Sequence, residues 1–212
     1  MEDDRQIIIT ISRQLGSAGE YIGQQLAEKL QILYLDREII EQAAKQFTPA
    51  NLDLEARDEK VPSFWKSLFQ SSGYISQDGY ITPQIFPQTD RDLYNVETDI
   101  IERVAKDQSA VIIGRCGWHI LREHPNHISI FFHADPAFRK SYLQKLYHIT
   151  EDAAEQMMNQ SDKDRSRYVR TFTDNEMHDA RQYDLSINTG RTSLDDSVKI
   201  ILDYIESRQI RK

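Results

Sequence analysis

Hydrophobic and polar positions follow two patterns along the chain: short continuous apolar runs, and longer stretches in which apolar residues recur every three or four positions. The first run, residues 7–12, reads IIITIS and is typical of a strand buried on both faces. The apolar residues Ile22, Leu26 and Leu30 then recur at every fourth position. This spacing predicts a helix that ends near Gln31.

The same two patterns alternate through the rest of the chain. Further apolar runs predict strands at residues 32–35, 110–113, 128–133 and 183–188. Helical spacing predicts helices that begin near Asp36 and Leu93, a helix or turn around Trp118, and helices at 136–147, 151–159 and 193–207. This alternation indicates a single α/β domain over residues 1–212, a doubly wound, parallel five-stranded sheet with helices on both faces. The ligand is then expected at the carboxyl ends of the strands.

One long segment, residues 48–92, follows neither pattern. Prolines interrupt it repeatedly, and aromatic residues are frequent between residues 60 and 90. Long irregular segments of this kind usually form a lid, a binding loop or an interface. The segment is therefore expected to be functional rather than part of the core.

Composition and charge restrict the kinds of partner. The 212 residues carry a formal net charge of −8, and the pI is near 5.3. Broad electrostatic binding to nucleic acid or to an anionic membrane is therefore not expected, but a local basic pocket for a small phosphate is compatible with this charge. No apolar stretch approaches the ~20 residues of a membrane span, and the acidic N-terminus does not resemble a signal peptide. The single cysteine, Cys116, allows no disulfide within the chain, so a cytoplasmic protein is expected.

The first strand is followed by a glycine-containing turn, Gly16-Ser17-Ala18-Gly19, before the first helix. Backbone N–H groups in such a turn, together with a helix N-terminus, form an anion site, and glycine lets phosphate oxygens approach the backbone. The pattern G-x-x-x-x-G-K-[ST] would continue with a lysine, but this chain has Glu20. On spacing alone, the alternative is a tight strand-to-helix turn without a ligand.

Two groups of cations are further candidates. Arg115 directly follows the predicted strand at 110–113, where a guanidinium suits bidentate phosphate binding; a surface salt bridge is the alternative. Residues 162–170, DKDRSRYVR, contain four cations in an acidic protein. They suit a phosphate-binding segment, although a solvated helix face is the simpler interpretation. Asp162 and Asp164 are placed to steady the arginines, to hold ribose hydroxyls or to help place a metal.

Taken together, these stretches resemble the cytidylate kinase-like family of P-loop proteins. The resembling stretches are ITISRQLGSAGEYIGQQLAEKL at 9–30, YLDREII at 34–40, VIIGRCGWHIL at 111–121, ISIFFHAD at 128–135, DKDRSRYV at 162–169 and YDLSINTGRTSLDDSVKIILDYI at 183–205. The resemblance implies a P-loop NTPase-type fold of the nucleoside-monophosphate kinase kind. Such a fold has a core with the P-loop, an acceptor-binding insertion, here at 37–95, and a lid, here at 160–175.

The resemblance also implies roles on the donor side. Gly16, Ser17, Ala18 and Gly19 would wrap the phosphates of ATP, which is expected together with Mg²⁺. Arg165 would be an arginine that stabilises the phosphoryl group during transfer.

On the acceptor side, the resemblance assigns five further positions. Asp36 and Arg37 lie where the acceptor nucleotide enters, and Arg115 falls on the arginine that holds the acceptor phosphate. Asp164 and Arg167 match a pair that reads and clamps the acceptor near the lid. These roles follow from the family pattern and not from the spacing of the residues.

The chain departs from the family pattern at three positions. The P-loop lysine is absent, with Glu20 where similar members often have arginine; Cys116 replaces the aspartate of a Gly-Arg-Asp motif; and Arg37 replaces a serine. Groups that read cytosine are therefore largely missing, and the family name does not assign a substrate. Without the lysine, phosphate charge must be neutralised by Mg²⁺ and by arginines. The candidates are Arg13, Arg115, Arg165 and Arg167.

The predicted function is ATP-dependent phosphoryl transfer to a nucleotide or other small-molecule acceptor. The alternative is a non-catalytic nucleotide-binding or sensing protein, with a homodimer formed through the aromatic segment at 60–90. The gap left by the lysine, and the direction in which Glu20 points, discriminate between the two. If the Glu20 side chain points away from the phosphate site, its carboxylate interacts favourably with the dipole of the first helix. If it points into the site, the carboxylate repels the phosphates of ATP.

Overall fold

The computed structural model describes residues 6–46 and 90–208. Its strands are β1 (Ile8–Arg13), β2 (Leu33–Leu35), β3 (Ala110–Ile113), β4 (His127–His133) and β5 (Leu185–Asn188). Its helices are α1 (Gly19–Leu30), α2 (Arg37–Gln46), α3 (Asp90–Asp107), α4 (Gly117–Ile120), α5 (Pro136–Tyr147), α6 (Glu151–Thr173) and α7 (Leu194–Ser207), with a 3₁₀ turn at Ala180–Gln182. The predicted alternation of strands and helices is confirmed across the described residues.

Strand β1 lies at the centre of a parallel sheet with the order β2-β3-β1-β4-β5. Ile9 of β1 lies beside Val111 of β3 and Ile128 of β4. The predicted five-stranded parallel sheet is thus confirmed in the described part of the chain. The chain adds β2 and β3 on one side of β1, and β4 and β5 on the other. Ligands of such sheets bind beyond the carboxyl ends of the strands where the order reverses, which here is the end of β1.

Side chains alternate across β1 and contribute to a core on each face of the sheet. On one face, Ile9 and Ile11 pack with apolar residues of α1 and α7, among them Leu26 and Ile201. On the other face, Ile8 packs with apolar residues of α2 and α3. All five side chains are completely buried. Burial on both faces explains why the strands are continuous apolar runs, and it confirms the expected helices on both faces.

Helix α6 is longer than its predicted span of 151–159, because it continues to Thr173 and includes the charged segment at 162–170. Its buried residues follow helical spacing and are Ala154, Met158, Ser161, Val169 and Thr173. Arg165 lies four residues from Ser161 and from Val169, so it occupies the same inward face. The hydrophobic pattern therefore stops before the helix does. That residues 160–175 move as a lid stays a prediction.

The predicted insertion at 37–95 is described only at its ends, by α2 and by the start of α3. Residues 47–89 lie outside the described residues, and with them nearly all of the aromatic segment at 60–90. Within the described ranges, none of the helices combines the length and apolar character needed to cross a membrane.

Candidate functional site

The turn between β1 and α1 has the backbone conformation of a compact loop. Gly16 and Ala18 have left-handed φ angles of 79° and 58°. The Ser17 hydroxyl donates to the carbonyl of Gln14 at 2.8 Å, and the Thr189 hydroxyl donates to the carbonyl of Ser17 at 2.9 Å. Ala18, which precedes α1, provides no side-chain cap for that helix. The N–H groups of the first helical turn are therefore left for an anion, since they have no partners within the helix itself.

Gly16 is required by its conformation and by its contact with α5. A Cβ atom at this position would lie 2.8 Å from the carbonyl oxygen of Arg139 and 3.1 Å from Leu143. Both neighbours are on a buried face of α5, and one of the close atoms belongs to the backbone. The turn is therefore packed from behind by a helix that cannot readily move away.

We expect Gly16→Ala to lower the free energy of unfolding by at least about 1–2 kcal/mol, because a left-handed residue gains a Cβ, and to abolish ATP binding. Thermal unfolding and calorimetric titration with MgATP measure the two effects. The control is Gly190→Ala, where the atoms closest to a new Cβ are side-chain oxygens of Asp135 and Asn188. Equal ATP affinity in wild type and Gly16→Ala would contradict a phosphate role for the turn.

Two arginines and one carboxylate meet at the turn. The Arg13 guanidinium donates to Glu20 through Nε at 2.9 Å and also through a second nitrogen. Arg165 reaches in from α6, where it donates to the carbonyl oxygen of Arg13 at 3.3 Å and lies 3.9 Å from Glu20. Together with the turn they line a small pocket that their side chains largely fill. Glu20 thus points inward, toward the pocket, and the three side chains carry one net positive charge.

The electrostatics of this group favour the charged forms of its members. Burial alone would raise the pKa of Glu20, but Arg13 and Arg165 outweigh it and hold that pKa below its usual value. Burial, and next the neighbouring Arg13, lower the pKa of Arg165 to about 9. Arg165 is still protonated near neutral pH. The pocket therefore keeps two cations against one carboxylate.

Arg139 ties the turn to α6, and the sequence analysis missed it. Its Nε donates to the carbonyl of Leu15 at 2.6 Å, and Nη2 donates to Asp162 at 2.8 Å. The side chain is 5% exposed. Asp162 precedes Arg165 by three residues, so this pair joins the turn to the helix that carries Arg165. The sequence contained one signal for it. Arg139 lies four residues before Leu143 on α5, and this helical spacing places both side chains on the same buried face.

The residues expected to lie near the acceptor entrance are at the start of α2. The carboxylate of Asp36 is buried and accepts from the N–H of Ile39 at 3.0 Å, as a cap of that helix. Burial raises the pKa of Asp36 above its usual value. Arg37 is 40% exposed and donates to Glu41 at 2.7 Å. Asp36 thus has a structural partner in this state, and Arg37 is paired with a carboxylate.

Arg115 follows β3 with a left-handed φ of 51°. Its guanidinium is 9% exposed, pairs with Glu41, and lies 3.2 Å from Glu97. The cation also lies 5.3 Å from the centre of the Tyr168 ring. The surface salt bridge that the sequence left open is thus a largely buried cluster. Glu97 and Glu41 were missed because neither belongs to a recognisable motif.

Among the carboxylates that the structure describes at this end of the sheet, Glu97 is the most enclosed, with a side chain 1% exposed. The Tyr168 hydroxyl donates to it at 2.9 Å. Burial raises the pKa of Glu97 to about 7, even though the bond from Tyr168 acts in the opposite direction. Cys116, next to Arg115, is buried, and burial raises its pKa to about 12. Its thiol is therefore not a nucleophile near neutral pH.

Asp164 and Arg167 lie on a different part of α6 from Arg165. Asp164 accepts from Gln160 at 2.9 Å and 3.0 Å, and Arg167 is 77% exposed and 3.9 Å from Asp164. The structure therefore brings Arg13 and Arg165 to the turn but leaves Arg167 facing solvent. The acceptor-clamping role of this pair stays a prediction. Within the described ranges, no group of three or more His, Cys, Asp and Glu side chains is arranged to hold a metal.

Comparison with known proteins identifies the family and the fold of the chain. The sequence profile of the cytidylate kinase-like family matches residues 8–191. A crystal structure of an uncharacterized protein from Eubacterium ventriosum has a TM-score of 0.72 and 25% identity, covering 95% of this chain and 99% of that chain. No curated protein sequence matches this chain significantly.

Two solved kinases have the same fold. Shikimate kinase from Bacteroides thetaiotaomicron has a TM-score of 0.51 at 14% identity, covering 94% of this chain and 98% of that chain. A gluconokinase from Sinorhizobium meliloti has a TM-score of 0.51 at 12% identity, covering 96% of this chain and 93% of that chain. At these identities, the similarity establishes the P-loop kinase fold.

Proposed function

The chain belongs to the cytidylate kinase-like family, and we propose that it transfers the γ-phosphoryl group of ATP to a nucleotide or other small-molecule acceptor. The observation that carries the proposal is the meeting of Arg13 and Arg165 at the glycine turn. Phosphoryl transfer depends mainly on positioning and on neutralising phosphate charge. Two guanidinium groups beside the turn neutralise phosphate charge in place of the absent lysine. The reaction class is supported by the shikimate kinase and the gluconokinase that share this fold.

On the donor side, Gly16, Ser17, Ala18 and Gly19 wrap the phosphates of ATP, which bind to backbone N–H groups of the turn. The N–H of Ser17 donates to the carbonyl of Gln14 at 3.3 Å in the present state, so it reaches a phosphate only by exchanging that partner. A γ-phosphate then takes the place of the Glu20 carboxylate beside Arg13 and Arg165, because both anionic groups bind the same two guanidinium groups. Mg²⁺ supplies further charge neutralisation when it is bound. It would be held mainly by phosphate oxygens and water, as is usual for this cation, since the described residues offer no group of three or more His, Cys, Asp and Glu side chains arranged to hold it.

On the acceptor side, the proposed site lies beyond β2 and β3. Asp36 and Arg37 begin α2 there, and Arg115 follows β3. Asp164 and Arg167 are proposed to reach the acceptor when α6 closes as a lid, because in the present state Arg167 is 77% exposed and Asp164 is held by Gln160 on the same helix. Closure of such a lid would exclude water from the transferring phosphoryl group.

One observation favours the alternative function of a nucleotide sensor. Glu20 occupies the phosphate pocket by pairing with Arg13, and a protein that only binds nucleotide has no need of free catalytic cations. The two functions are separated by ADP formation from MgATP with a panel of acceptors, measured alongside ATP binding. Binding without turnover is the result expected of a sensor.

A cytoplasmic location, and a homodimer through the segment at 60–90, belong to the proposal as well.

We expect Glu20→Gln to bind MgATP on the order of tenfold more tightly, because both arginines lose their intramolecular counter-ion. The same change lowers the free energy of unfolding at pH 7, since the carboxylate has a lowered pKa and stabilises the folded state above its unfolded pKa. Calorimetry and thermal unfolding measure the two effects. Glu28→Gln, an exposed position of the same helix, is the control. Weaker MgATP binding by Glu20→Gln, with unchanged binding by Glu28→Gln, would contradict this expectation and show that the Glu20 carboxylate contributes to nucleotide binding.

A further inference from the structure

Arg139 joins two parts of the donor site through two nitrogens of one guanidinium group. Its Nε donates to the carbonyl oxygen of Leu15, just before the glycine turn, at 2.6 Å, and its Nη2 donates to Asp162 of α6 at 2.8 Å. The side chain is almost completely buried. Because a guanidinium is planar and its N–H groups point in fixed directions, the turn and α6 are held at a fixed separation.

Asp162 relies on Arg139 to pair its carboxylate. Among the described residues, Oδ2 of Asp162 accepts from Arg139, whereas Oδ1 is buried and has no hydrogen-bond partner. Asp162 also lies three residues before Arg165, so the two side chains are neighbours on one face of α6. Arg139 therefore holds α6 within one helical turn of the arginine that reaches the phosphate pocket.

Arg165 itself has weak contacts at the turn. It donates to the carbonyl oxygen of Arg13 at 3.3 Å, which is long for such a hydrogen bond, and it lies 3.9 Å from Glu20. The contact with Glu20 is lost when a γ-phosphate takes the place of that carboxylate. The position of the Arg165 guanidinium then depends on where α6 lies relative to the turn, and the link from Arg139 fixes this.

The turn has supports that do not involve the Arg139 side chain. The Thr189 hydroxyl donates to the carbonyl of Ser17 at 2.9 Å. Gly16 lies against the backbone of Arg139 and against Leu143, and a side-chain substitution leaves that backbone in place. Loss of the guanidinium link is therefore expected to displace α6 more than the turn.

On the basis of the proposed function, we propose that Arg139 is a positioning residue: it fixes α6 to the glycine turn through Asp162, and so holds Arg165 beside the γ-phosphate of ATP. Arg139→Lys tests this directly, because it keeps the charge but replaces the planar fork with a single ammonium group. One ammonium cannot hold Leu15 and Asp162 in the same geometry. A misplacement of about 1 Å at a catalytic group costs on the order of 10²-fold in rate.

A second ion pair between the same two helices provides the matched control. Lys140, next to Arg139 on α5, donates to Glu151 at 2.7 Å, and Glu151 is the first residue of α6. Glu151 is 65% exposed and lies roughly 20 Å from Arg165 along the helix, at about 1.5 Å per residue. Glu151→Gln therefore removes the same charge from the same helix as Asp162→Asn, far from the turn.

The test is the preference of the full-length protein for MgATP over MgADP, measured by calorimetric titration of each nucleotide. The preference reports the contact between the arginines and the γ-phosphate, and the affinity for MgADP reports the state of the turn. Arg139→Lys is expected to bind MgADP within about threefold of wild type and to lose about tenfold of the preference for MgATP. Asp162→Asn, which keeps the bond to Leu15, is expected to show a smaller loss and decides the claim if Arg139→Lys does not fold. Glu151→Gln is expected to match the wild type.

Four results would overturn the proposal. They are an unchanged preference in Arg139→Lys, equal losses of MgADP and MgATP affinity in that variant, a loss in Glu151→Gln as large as in Asp162→Asn, and a wild type without preference for MgATP. Equal losses are the result expected of a residue that only shapes the turn.

Failure of the proposed phosphotransferase function gives a different result. The wild type then prefers MgATP but transfers no labelled phosphoryl group, and the titrations of Arg139→Lys and Asp162→Asn still decide whether Arg139 positions Arg165. A wild type that binds neither nucleotide would overturn both proposals.

Discussion

Arg165→Ala is expected to slow phosphoryl transfer by about 10³- to 10⁵-fold, as for arginines that act on the transferring phosphoryl group in related reactions. The reason is the position of the guanidinium, which extends from α6 to the carbonyl of Arg13 and to within 3.9 Å of Glu20 at the glycine turn. The fold should tolerate the change, because Arg13 retains Glu20 and a repulsive neighbour is removed. Turnover and melting temperature are measured on the same preparation.

Arg170→Ala provides the control, because it removes the same charge from the same helix at a position 70% exposed and paired only with Glu176 among the ion pairs of the described residues. It should retain wild-type turnover. If Arg165→Ala unfolds the protein at room temperature, Arg165 is structural. If it leaves the transfer rate intact, the arginine does not act on the phosphoryl group.

Arg115→Ala is expected to lower the free energy of unfolding by about 3–5 kcal/mol, the usual cost of removing one partner of a buried ion pair. Glu97 is 1% exposed and would lose a guanidinium 3.2 Å away. Urea unfolding at pH 7 measures the loss. Arg122→Ala, whose guanidinium is 57% exposed and pairs with the exposed Glu123, should change stability by less than about 0.5 kcal/mol.

The effect of Arg115→Ala should depend on pH in a direction that follows from Glu97. In the folded protein, burial raises the pKa of Glu97 from 4.5 to about 7, so the folded state binds more protons in this window and stability falls as pH rises through it. Loss of the nearby cation raises that pKa further. The penalty is therefore larger at pH 8 than at pH 5, and Glu97→Gln in the same chain should restore part of the stability. A penalty independent of pH would show that Glu97 is not the cause.

The elements of the fold were predictable where apolar residues alone determine them. The strand at 110–113 and the helix at 136–147 have the predicted bounds, because buried positions there follow one uninterrupted period. Prediction of α6 stopped at residue 159 because Arg165 lies on the inward face and interrupts the apolar pattern. A sequence pattern cannot show that a cation on a buried face has a partner on another element.

The candidate site was predictable at the turn and only partly around it. The Gly16–Gly19 turn follows from local strand–glycine–helix order, and Arg165 followed from resemblance. Arg139, Glu41 and Glu97 were missed, because the contacts that define them join residues far apart in sequence: Leu15 to Arg139, and Glu41 to Arg115. Local sequence does not fix such contacts, nor does it fix the direction of Glu20, which depends on Arg13 and Arg165.

The central claim, phosphoryl transfer assisted by arginines in place of a lysine, is tested most directly with ATP labelled at the γ-phosphate. The labelled nucleotide and Mg²⁺ are incubated with the full chain and a panel of hydroxyl compounds and nucleotides, and the label is followed into product. The predicted result is acceptor-dependent transfer by the wild type and by Arg170→Ala, and loss of transfer in Arg165→Ala. MgATP binding by the wild type with no label transferred to any acceptor would contradict the claim and identify a nucleotide sensor.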